Sequence, residues 1–381
     1  METKSYSDFW QRTHKSAREK GFPLRVMFEL TYRCNFKCKH CYVPESYKKK
    51  AKQELKTKGI FSTLDQLADI GCLYLGFTGG EPFLRKDIFD ILWHAKRRGF
   101  QIIIYTNGSL IDKDKAQELK RLNPNKIDIT IPAMNESVFE RITGITGSHD
   151  IVYRAIKLLH KKGVKLGFKS CVLNENKNEI KDIQDFAASL GALHRLDDRL
   201  SPRLDGDREP YRYRGFRKQI VSRSPGHQVS GKDRFEDCAL SVQRTKHEPR
   251  TTPACSAGRN HEPLFRCGVG VSHMAINPFG ELKMCLLIDY PKYKILNKQV
   301  SGIRYQVSGQ ENGLRDAWER LKELVAAIKP DKNYQCGKCS LYSYCKWCPA
   351  KSWLYNRSFT SCEPENQHWA ELKKRYYGTK G

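Results

Sequence analysis

The chain has 381 residues, of which 39% are hydrophobic and 29% are charged, a composition typical of a globular protein rather than of a disordered chain. No apolar stretch approaches the roughly 20 residues that cross a bilayer, so the sequence predicts no transmembrane helix. The first residues, METKSYSDFWQRTHKSAREKG, lack the apolar core of a signal peptide. We therefore expect a cytoplasmic protein that makes no membrane contacts.

Two totals point to the chemistry of the protein. In a reducing cytoplasm, fourteen cysteines are expected to bind metal rather than to form disulfides. The 68 Lys and Arg outnumber the 42 Asp and Glu, which gives a net charge of +26. Such a charge attracts anionic partners in general, whether nucleic acid, acidic peptide or phosphate, and does not select among them.

From about residue 24 to residue 200, β-rich runs alternate with amphipathic segments, as is typical of an α/β fold with a parallel sheet. Gly71, Gly99, Gly163 and Gly191 each follow a helical pattern and are predicted to end it in the left-handed conformation. Six β/α units fit this half of the chain. The predicted strands are Leu24–Thr31, Leu73–Thr78, Gln101–Thr106, Lys126–Pro132, Lys165–Leu173 and Ala192–Leu200.

Composition divides the chain into four parts. Residues 1–20 form a polar N-terminal segment, and residues 21–200 hold the β/α units. Residues 201–262 are rich in Arg, Ser, Pro and His, which predicts a basic irregular linker or insert, either solvated or used as a binding arm. Residues 263–381 hold a short hairpin-like stretch, one helical pattern and a dense group of cysteines, which predicts a small irregular cysteine-rich domain.

The first cysteine motif, Cys34-x3-Cys38-x2-Cys41, comes directly after the first predicted strand. Three closely spaced thiolates can hold three irons of a [4Fe–4S] cluster and leave the fourth iron open for a small ligand. Zinc is the alternative metal. A structural zinc site needs four protein ligands, and only His40 is near enough to complete one here.

A second motif, Gly79-Gly80-Glu81-Pro82, follows the second predicted strand. The two glycines allow a ligand to approach the backbone, and the carboxylate of Glu81 would suit an ammonium group. An ordinary turn from strand to helix is the alternative. Because loops at the carboxyl ends of parallel strands converge in a β/α barrel, both motifs are expected to border one site.

Together, these two motifs resemble those of the radical S-adenosylmethionine (SAM) superfamily over about residues 24–200. The resemblance implies a partial (β/α)6 barrel in which the open iron of the cluster binds SAM. Reduction of the cluster would cleave SAM to methionine and a 5′-deoxyadenosyl radical, which abstracts hydrogen from the substrate. Two further stretches are similar to the superfamily, namely Tyr105-Thr106-Asn107-Gly108 and Arg141-Ile142-Thr143-Gly144.

The resemblance assigns roles to individual residues of this chain. The cluster ligands that it implies are Cys34, Cys38 and Cys41. The residues that it implies for the SAM amino group are Gly79, Gly80 and Glu81. His40 stands where the superfamily usually has an aromatic residue near the adenine, and the alternative for it is a solvent-facing loop position. Arg141 is a candidate partner of the SAM carboxylate, with a solvated helix surface as the alternative.

The cysteines of the second half resemble the SPASM extension of peptide-modifying radical SAM enzymes, which carries two auxiliary [4Fe–4S] clusters. One cluster would be held by Cys336, Cys339, Cys345 and Cys362. The other would be held by Cys267, Cys285 and Cys348, with an open iron or with Cys255 as a fourth ligand. A zinc ribbon over 336–348 is the alternative. The cysteines outside every motif, taken as core or incidental thiols, are Cys72, Cys171 and Cys238.

The resemblance therefore implies a radical SAM enzyme that modifies a peptide or protein after translation, by oxidation or cross-linking, with an electron donor of the flavodoxin or ferredoxin type. Only about twenty residues precede the first strand, so we expect leader-peptide binding to need a separate partner protein. RNA modification is an alternative suggested by the net charge of +26. A zinc-dependent nucleic-acid-binding protein is a third. The sequence singles out no catalytic side chain.

Overall fold

The protein is described by a computed structural model that covers residues 6–198, 200–215 and 264–377, apart from gaps at 266, 297–312, 333, 337, 343 and 346. Cys238, Cys255 and most of the predicted basic segment 201–262 lie outside these residues.

Six parallel strands form the first half of the sheet, in the order β6-β5-β4-β3-β2-β1. The predicted strands are all confirmed, and the largest difference is at the end of the sixth, which stops at Asp197 instead of Leu200. The α/β class and the partial barrel of six β/α units are likewise confirmed. The strands are β1 Arg25–Thr31, β2 Tyr74–Gly79, β3 Gln101–Thr106, β4 Lys126–Thr130, β5 Leu166–Cys171 and β6 Leu193–Asp197.

Helices connect these strands and continue after them. The four glycines predicted to end helices have φ angles between 62° and 90°, in the left-handed region, as expected. The predicted polar segment at residues 1–20 contains the first helix. The described helices are α1 Tyr6–Lys20, α2 Glu45–Lys48, α3 Thr57–Asp69, α4 Ile88–Arg97, α5 Lys113–Leu122, α6 Glu136–Thr143, α7 Ser148–Lys161, α8 Ile180–Ser189, α9 Leu314–Ala327, α10 Pro349–Asn356 and α11 Pro364–Tyr377.

Three further strands extend the same sheet beyond β1. The strand β7, His273–Ile276, pairs in parallel with β1, and it is followed by antiparallel β8, Glu281–Lys283, and β9, Tyr293–Lys294. The full order is β6-β5-β4-β3-β2-β1-β7-β8-β9. The cysteine-rich region therefore begins inside the sheet of the core, and the four sequence-based boundaries remain predictions.

The two faces of the sheet differ in polarity because successive strand residues point to opposite sides. One face is apolar and packs on the helices, as for Phe28 and Phe77, which are register partners on β1 and β2 with ring centroids 6.3 Å apart. The other face is polar and lines a cavity with residues such as Thr130, Lys169 and Arg195. The alternation thus places polar side chains inside the barrel. None of the described helices is long and apolar enough to cross a membrane.

The pairing of β7 with β1 predicts that both halves unfold together. Ile276 on β7 is fully buried, so Ile276→Ala should lower the free energy of unfolding by about 2 to 5 kcal/mol and shift one cooperative transition in urea. Ile151→Ala is the control, because that side chain is exposed and should cost less than about 0.5 kcal/mol. A second transition with an unchanged midpoint would show that the region after residue 264 folds independently.

Buried His194 on β6 predicts a loss of stability in acid. Burial lowers its pKa from 6.5 to about 4, so between these two values the unfolded chain binds a proton that the folded chain does not. The free energy of unfolding should therefore fall as the pH drops from 6.5 to 4, and it should fall less steeply for His194→Gln. Denaturant titrations across this range measure both slopes, and equal slopes would exclude the contribution of His194.

Candidate functional site

The first cysteine motif lies in the loop after β1. The backbone N–H of Lys37 donates to the carbonyl of Thr143 at 2.8 Å, which holds this loop against the end of α6. Burial raises the pKa of Cys34 to about 11 and also raises the pKa values of Cys38 and Cys41. The charges of Cys41 and Cys34 add to the rise at Cys38. The three thiols therefore face one another in a buried space where they would ionise only beside a positive charge or a metal.

The end of β2 lies directly against the backbone that leads into this motif. A Cβ atom at Gly79 would be 2.2 Å from the carbonyl oxygen of Thr31, and one at Gly80 would be 2.1 Å from that of Arg33. The N–H of Gly80 donates to the Thr31 carbonyl at 2.7 Å. Only glycine permits so close an approach. The second motif is thus fixed beside Cys34, and both glycines border the same cavity as the thiols.

Glu81 is fully buried under this turn. Its carboxylate accepts hydrogen bonds from the backbone N–H groups of Phe83 at 3.0 Å and Asn107 at 2.7 Å, and from the hydroxyl of Thr106 at 2.8 Å. Burial raises its pKa to about 7, against the effect of these three donors. The side chain is not among the residues that border the cavity. In the structure this carboxylate fastens the turn to the end of β3, and its expected role towards the SAM amino group stays a prediction.

The loop after β3 contributes Asn107, a residue for which the sequence predicts no individual role. The side-chain N–H of Asn107 donates to the Asn35 carbonyl oxygen at 3.0 Å and lies 3.9 Å from the sulfur of Cys34. Asn107 therefore joins the end of β3 to the first cysteine motif.

The side chains of His40 and Arg141 lie in different environments. His40 borders the cavity, and burial lowers its pKa to about 4, so the imidazole is neutral near pH 7. Its Nδ1 atom is buried and has no hydrogen-bond partner among the described residues. Arg141 is exposed on α6, where it donates to the hydroxyl of Ser137, and it does not border the cavity. The structure thus places His40 at the cavity and Arg141 on the exposed surface of α6, and the roles expected for both towards SAM stay predictions.

Among the cysteines of the second half, Cys285 follows β8 and borders the cavity together with Cys348 and Cys267. Burial raises the pKa of Cys285, and the charges of Cys348 and then Cys267 raise it further. These three residues are distant in sequence, and the hairpin of β7 and β8 brings Cys285 to the other two.

A second group surrounds Cys345. Burial raises its pKa to about 11, and the charges of Cys362 and Cys339 add to that rise. Burial also raises the pKa of Cys362, again with a contribution from Cys339. These neighbours come from the same set as the interleaved ligation inferred by resemblance. Cys336, the fourth member of that set, borders the same cavity.

One cavity of about 1070 Å³ connects both halves of the protein. Its wall includes the Gly79-Gly80 turn, His40 and all the proposed cysteine ligands that the structure describes, a set that leaves out Cys255. The thiols on the wall are Cys34, Cys38, Cys41, Cys171, Cys267, Cys285, Cys336, Cys339, Cys345, Cys348 and Cys362.

The sequence interpretation missed polar residues on the inner face of the barrel. Cys171, expected to be a core or incidental thiol, borders the cavity beside Lys169 on β5, whereas Cys72 is buried in the core. Arg195 and Asp197 on β6 also border the cavity. Successive side chains of a strand point to opposite faces of the sheet. The side chains on β5 and β6 could therefore have been placed inside the barrel once the inward face of each strand was known.

The thiol arrangement was tested against a single metal ion and against a larger group. Within the described ranges, no three His, Cys, Asp or Glu side chains lie close enough together to hold one metal ion. The thiols instead border a shared cavity, and a cubane cluster, whose irons bind separate cysteines, fits this arrangement better than one zinc ion.

The close contact at Gly80 predicts that a methyl group there is disruptive. Gly80→Ala should lower the free energy of unfolding by at least about 2 kcal/mol, because its Cβ would overlap the Arg33 carbonyl, which cannot move without shifting Cys34. Gly313→Ala is the control, since its nearest neighbour would be 3.5 Å away and its cost should be below about 1 kcal/mol. Equal losses in urea titrations would contradict the assigned contact.

Comparison with known proteins agrees with this site. Residues 28–187 match the Radical SAM superfamily. The Fe-coproporphyrin III synthase of Methanosarcina barkeri is 31% identical over 160 residues, which cover 42% of this chain but only 40% of that protein. The subtilosin biosynthesis protein AlbA of Bacillus subtilis is 25% identical over 364 residues, which cover 91% of this chain and 71% of AlbA.

A solved structure shares the fold over nearly the whole chain. SuiB of Streptococcus suis, bound to its precursor peptide SuiA, has a TM-score of 0.61 at 17% identity and covers 96% of this chain and 82% of SuiB. SuiB has also been solved with S-adenosylmethionine. The family match and the cysteine motif within it lead to one conclusion: residues 28–187 form a radical SAM domain, and the chain as a whole is similar to SPASM-type radical SAM enzymes such as AlbA.

Proposed function

We propose that this protein modifies a peptide or protein after translation, using SAM and iron–sulfur clusters. The observation that carries the proposal is the single cavity of about 1070 Å³, which both cysteine regions and the Gly79-Gly80 turn border. A pocket of this size exceeds the needs of one small ligand. It offers room for cofactors and for a substrate side chain between them.

The proposed ligands of the first cluster are Cys34, Cys38 and Cys41. Their mutual proximity and burial support this assignment, since buried thiolates need a metal to compensate their charge. When bound, the cluster and SAM would supply reductive cleavage of SAM and abstraction of a substrate hydrogen atom. The protein's own part is to hold the cofactors in a fixed orientation and to limit access of water.

The Gly79-Gly80 turn and His40 are proposed to hold SAM. The turn borders the cavity with its backbone, and the absence of side chains there leaves room for the methionine part of SAM. The imidazole of His40 is neutral and faces the cavity, which suits packing against a flat, uncharged base. Glu81 acts through the turn, which it fixes to β3.

Two auxiliary [4Fe–4S] clusters are proposed in the second half. The charged neighbours of Cys285 and of Cys345 support two separate ligand sets. Cys255, a candidate fourth ligand of one cluster, lies outside the described residues. The first proposed set is Cys267, Cys285 and Cys348. The second is Cys336, Cys339, Cys345 and Cys362.

A peptide is the favoured substrate, because the two proteins that match this chain over more than nine tenths of its length have names that refer to a bacteriocin or a precursor peptide. The AlbA match covers 91% of this chain, and AlbA takes its name from the biosynthesis of a bacteriocin. SuiB, which shares the fold along 96% of the chain, was solved with a precursor peptide. The match to the porphyrin-named synthase covers only 42% of this chain, so it carries no information on the region after residue 264.

The partners of the reaction are part of the same proposal. Reduction of the first cluster would need an electron donor of the flavodoxin or ferredoxin type. Free thiols at all the described cysteines suit a cytoplasmic location. The RNA-modifying alternative depends on the net charge of +26 alone and stays a prediction.

Replacing the three proposed ligands tests the first cluster. The triple variant Cys34→Ala, Cys38→Ala and Cys41→Ala should lose formation of 5′-deoxyadenosine from SAM and dithionite, because SAM would have no open iron to bind. It should keep the iron held by the second half. Iron and 5′-deoxyadenosine are measured on anaerobically reconstituted protein.

Cys72→Ala is the matched control, since Cys72 lies in the core and does not border the cavity. It should retain both the iron content and SAM cleavage. Formation of 5′-deoxyadenosine by the triple variant would overturn the assignment of these ligands.

A further inference from the structure

A fully buried ion pair joins the barrel to the cysteine-rich region. The ammonium of Lys283 on β8 lies 2.8 Å from the carboxylate of Glu29 on β1, and both side chains are 0% exposed. Removing two charges from water is costly, and the cost is recovered only where further hydrogen bonds complete the pair. The immediate surroundings of Glu29 supply such bonds.

The carboxylate of Glu29 accepts two hydrogen bonds besides its contact with Lys283. The hydroxyl of Tyr42 donates at 2.7 Å, and the hydroxyl of Tyr32 donates at 3.0 Å. We refer to Glu29, Tyr32, Tyr42 and Lys283 as the Glu29 cluster. Tyr32 and Tyr42 lie after β1, whereas Lys283 lies on β8. The carboxylate of Glu29 therefore connects these two parts of the chain.

The positions of two members in the sequence are informative. Tyr42 directly follows Cys41 of the first motif, and Lys283 precedes Cys285 by two residues. Cys41 and Cys285 are proposed ligands of different clusters. The Glu29 cluster therefore links the backbone next to Cys41 to the backbone next to Cys285 by two charge-assisted contacts.

Contacts around the Glu29 cluster strengthen the same link. The hydroxyl of Tyr47 donates to Asp289 at 2.5 Å, and the backbone N–H of Leu55 donates to the carbonyl of Pro278 at 2.7 Å. These bonds connect the segment that follows the first motif to the segment around β8. These bonds and the Glu29 cluster together hold the two segments against each other.

An apolar core could stabilise this junction equally well, because replacing buried ion pairs by apolar residues of similar volume is often neutral or stabilising. Directed hydrogen bonds differ from apolar packing in that they fix the position of each partner. We propose that the Glu29 cluster is a positioning device that keeps Cys41 and Cys285 at a fixed separation across the cavity. The proposal rests on the proposed function only where it treats these cysteines as ligands of two clusters.

The test measures the reactivity of both thiols in the full chain without iron. Lys283→Met should raise the rate of alkylation by N-ethylmaleimide at Cys41 as well as at Cys285 by about tenfold or more, because the unpaired Glu29 would disturb the opposite segment. Tyr42→Phe removes only the contact to the first motif. It should raise the rate about tenfold at Cys41 and leave Cys285 unchanged. Peptide mass spectrometry resolves the two sites.

Leu119→Ala is the matched control, since Leu119 is fully buried on α5, a helix that packs against α4 and α7. It should destabilise the protein without changing either alkylation rate. The proposal is overturned if Lys283→Met leaves Cys41 at its original rate, or if Leu119→Ala raises both rates equally. If Lys283→Met does not fold, Tyr42→Phe alone decides the test. An unchanged alkylation rate at Cys41 in Tyr42→Phe then overturns the proposal.

Iron analysis of the unmodified protein separates this inference from the proposed function. Absence of iron after reconstitution would overturn the cluster assignment, and the alkylation result on iron-free protein would still decide whether the Glu29 cluster couples the two segments.

Discussion

The structure of the site depends on the contact between the end of β2 and the backbone that precedes Cys34. A side chain at Gly79 or Gly80 would lie little more than 2 Å from a carbonyl oxygen, so these two positions require glycine. The contact brings the second motif beside the first, and Glu81 then fastens the turn to the end of β3. Three consecutive strand ends thereby form one wall of the cavity.

The pairing of β7 with β1 has an equally direct consequence. Because β7 and β8 continue the sheet of the barrel, the cysteines of the second half face the same cavity as those of the first. The buried pair of Glu29 and Lys283 lies at this junction and is completed by tyrosine hydroxyls. A charged pair with full hydrogen bonding sets position more strictly than apolar packing, at some cost in stability.

The six strands, their glycine-ended helices and the grouping of the cysteines could be predicted because they depend on local spacing and period. Residues that act through long-range contacts could not. The charges of Glu29 and Lys283 are 254 positions apart in sequence, and no local pattern pairs them. The hydrogen bonds of Glu81 and the exposed position of Arg141 could not be predicted, because a motif shows that a residue is present, whereas packing decides which way its side chain points. The place of Cys171 on the cavity wall could not be predicted, because the sequence predicts its strand but not which face of that strand points inward.

The central claim is that the cysteines of both halves hold iron–sulfur clusters around one cavity. Iron, acid-labile sulfide and zinc per chain, measured together on anaerobically reconstituted protein, test it most directly. Three clusters predict about twelve irons with a matching amount of sulfide and little zinc. Zinc without iron or sulfide would contradict the account and would favour a zinc-dependent binding protein.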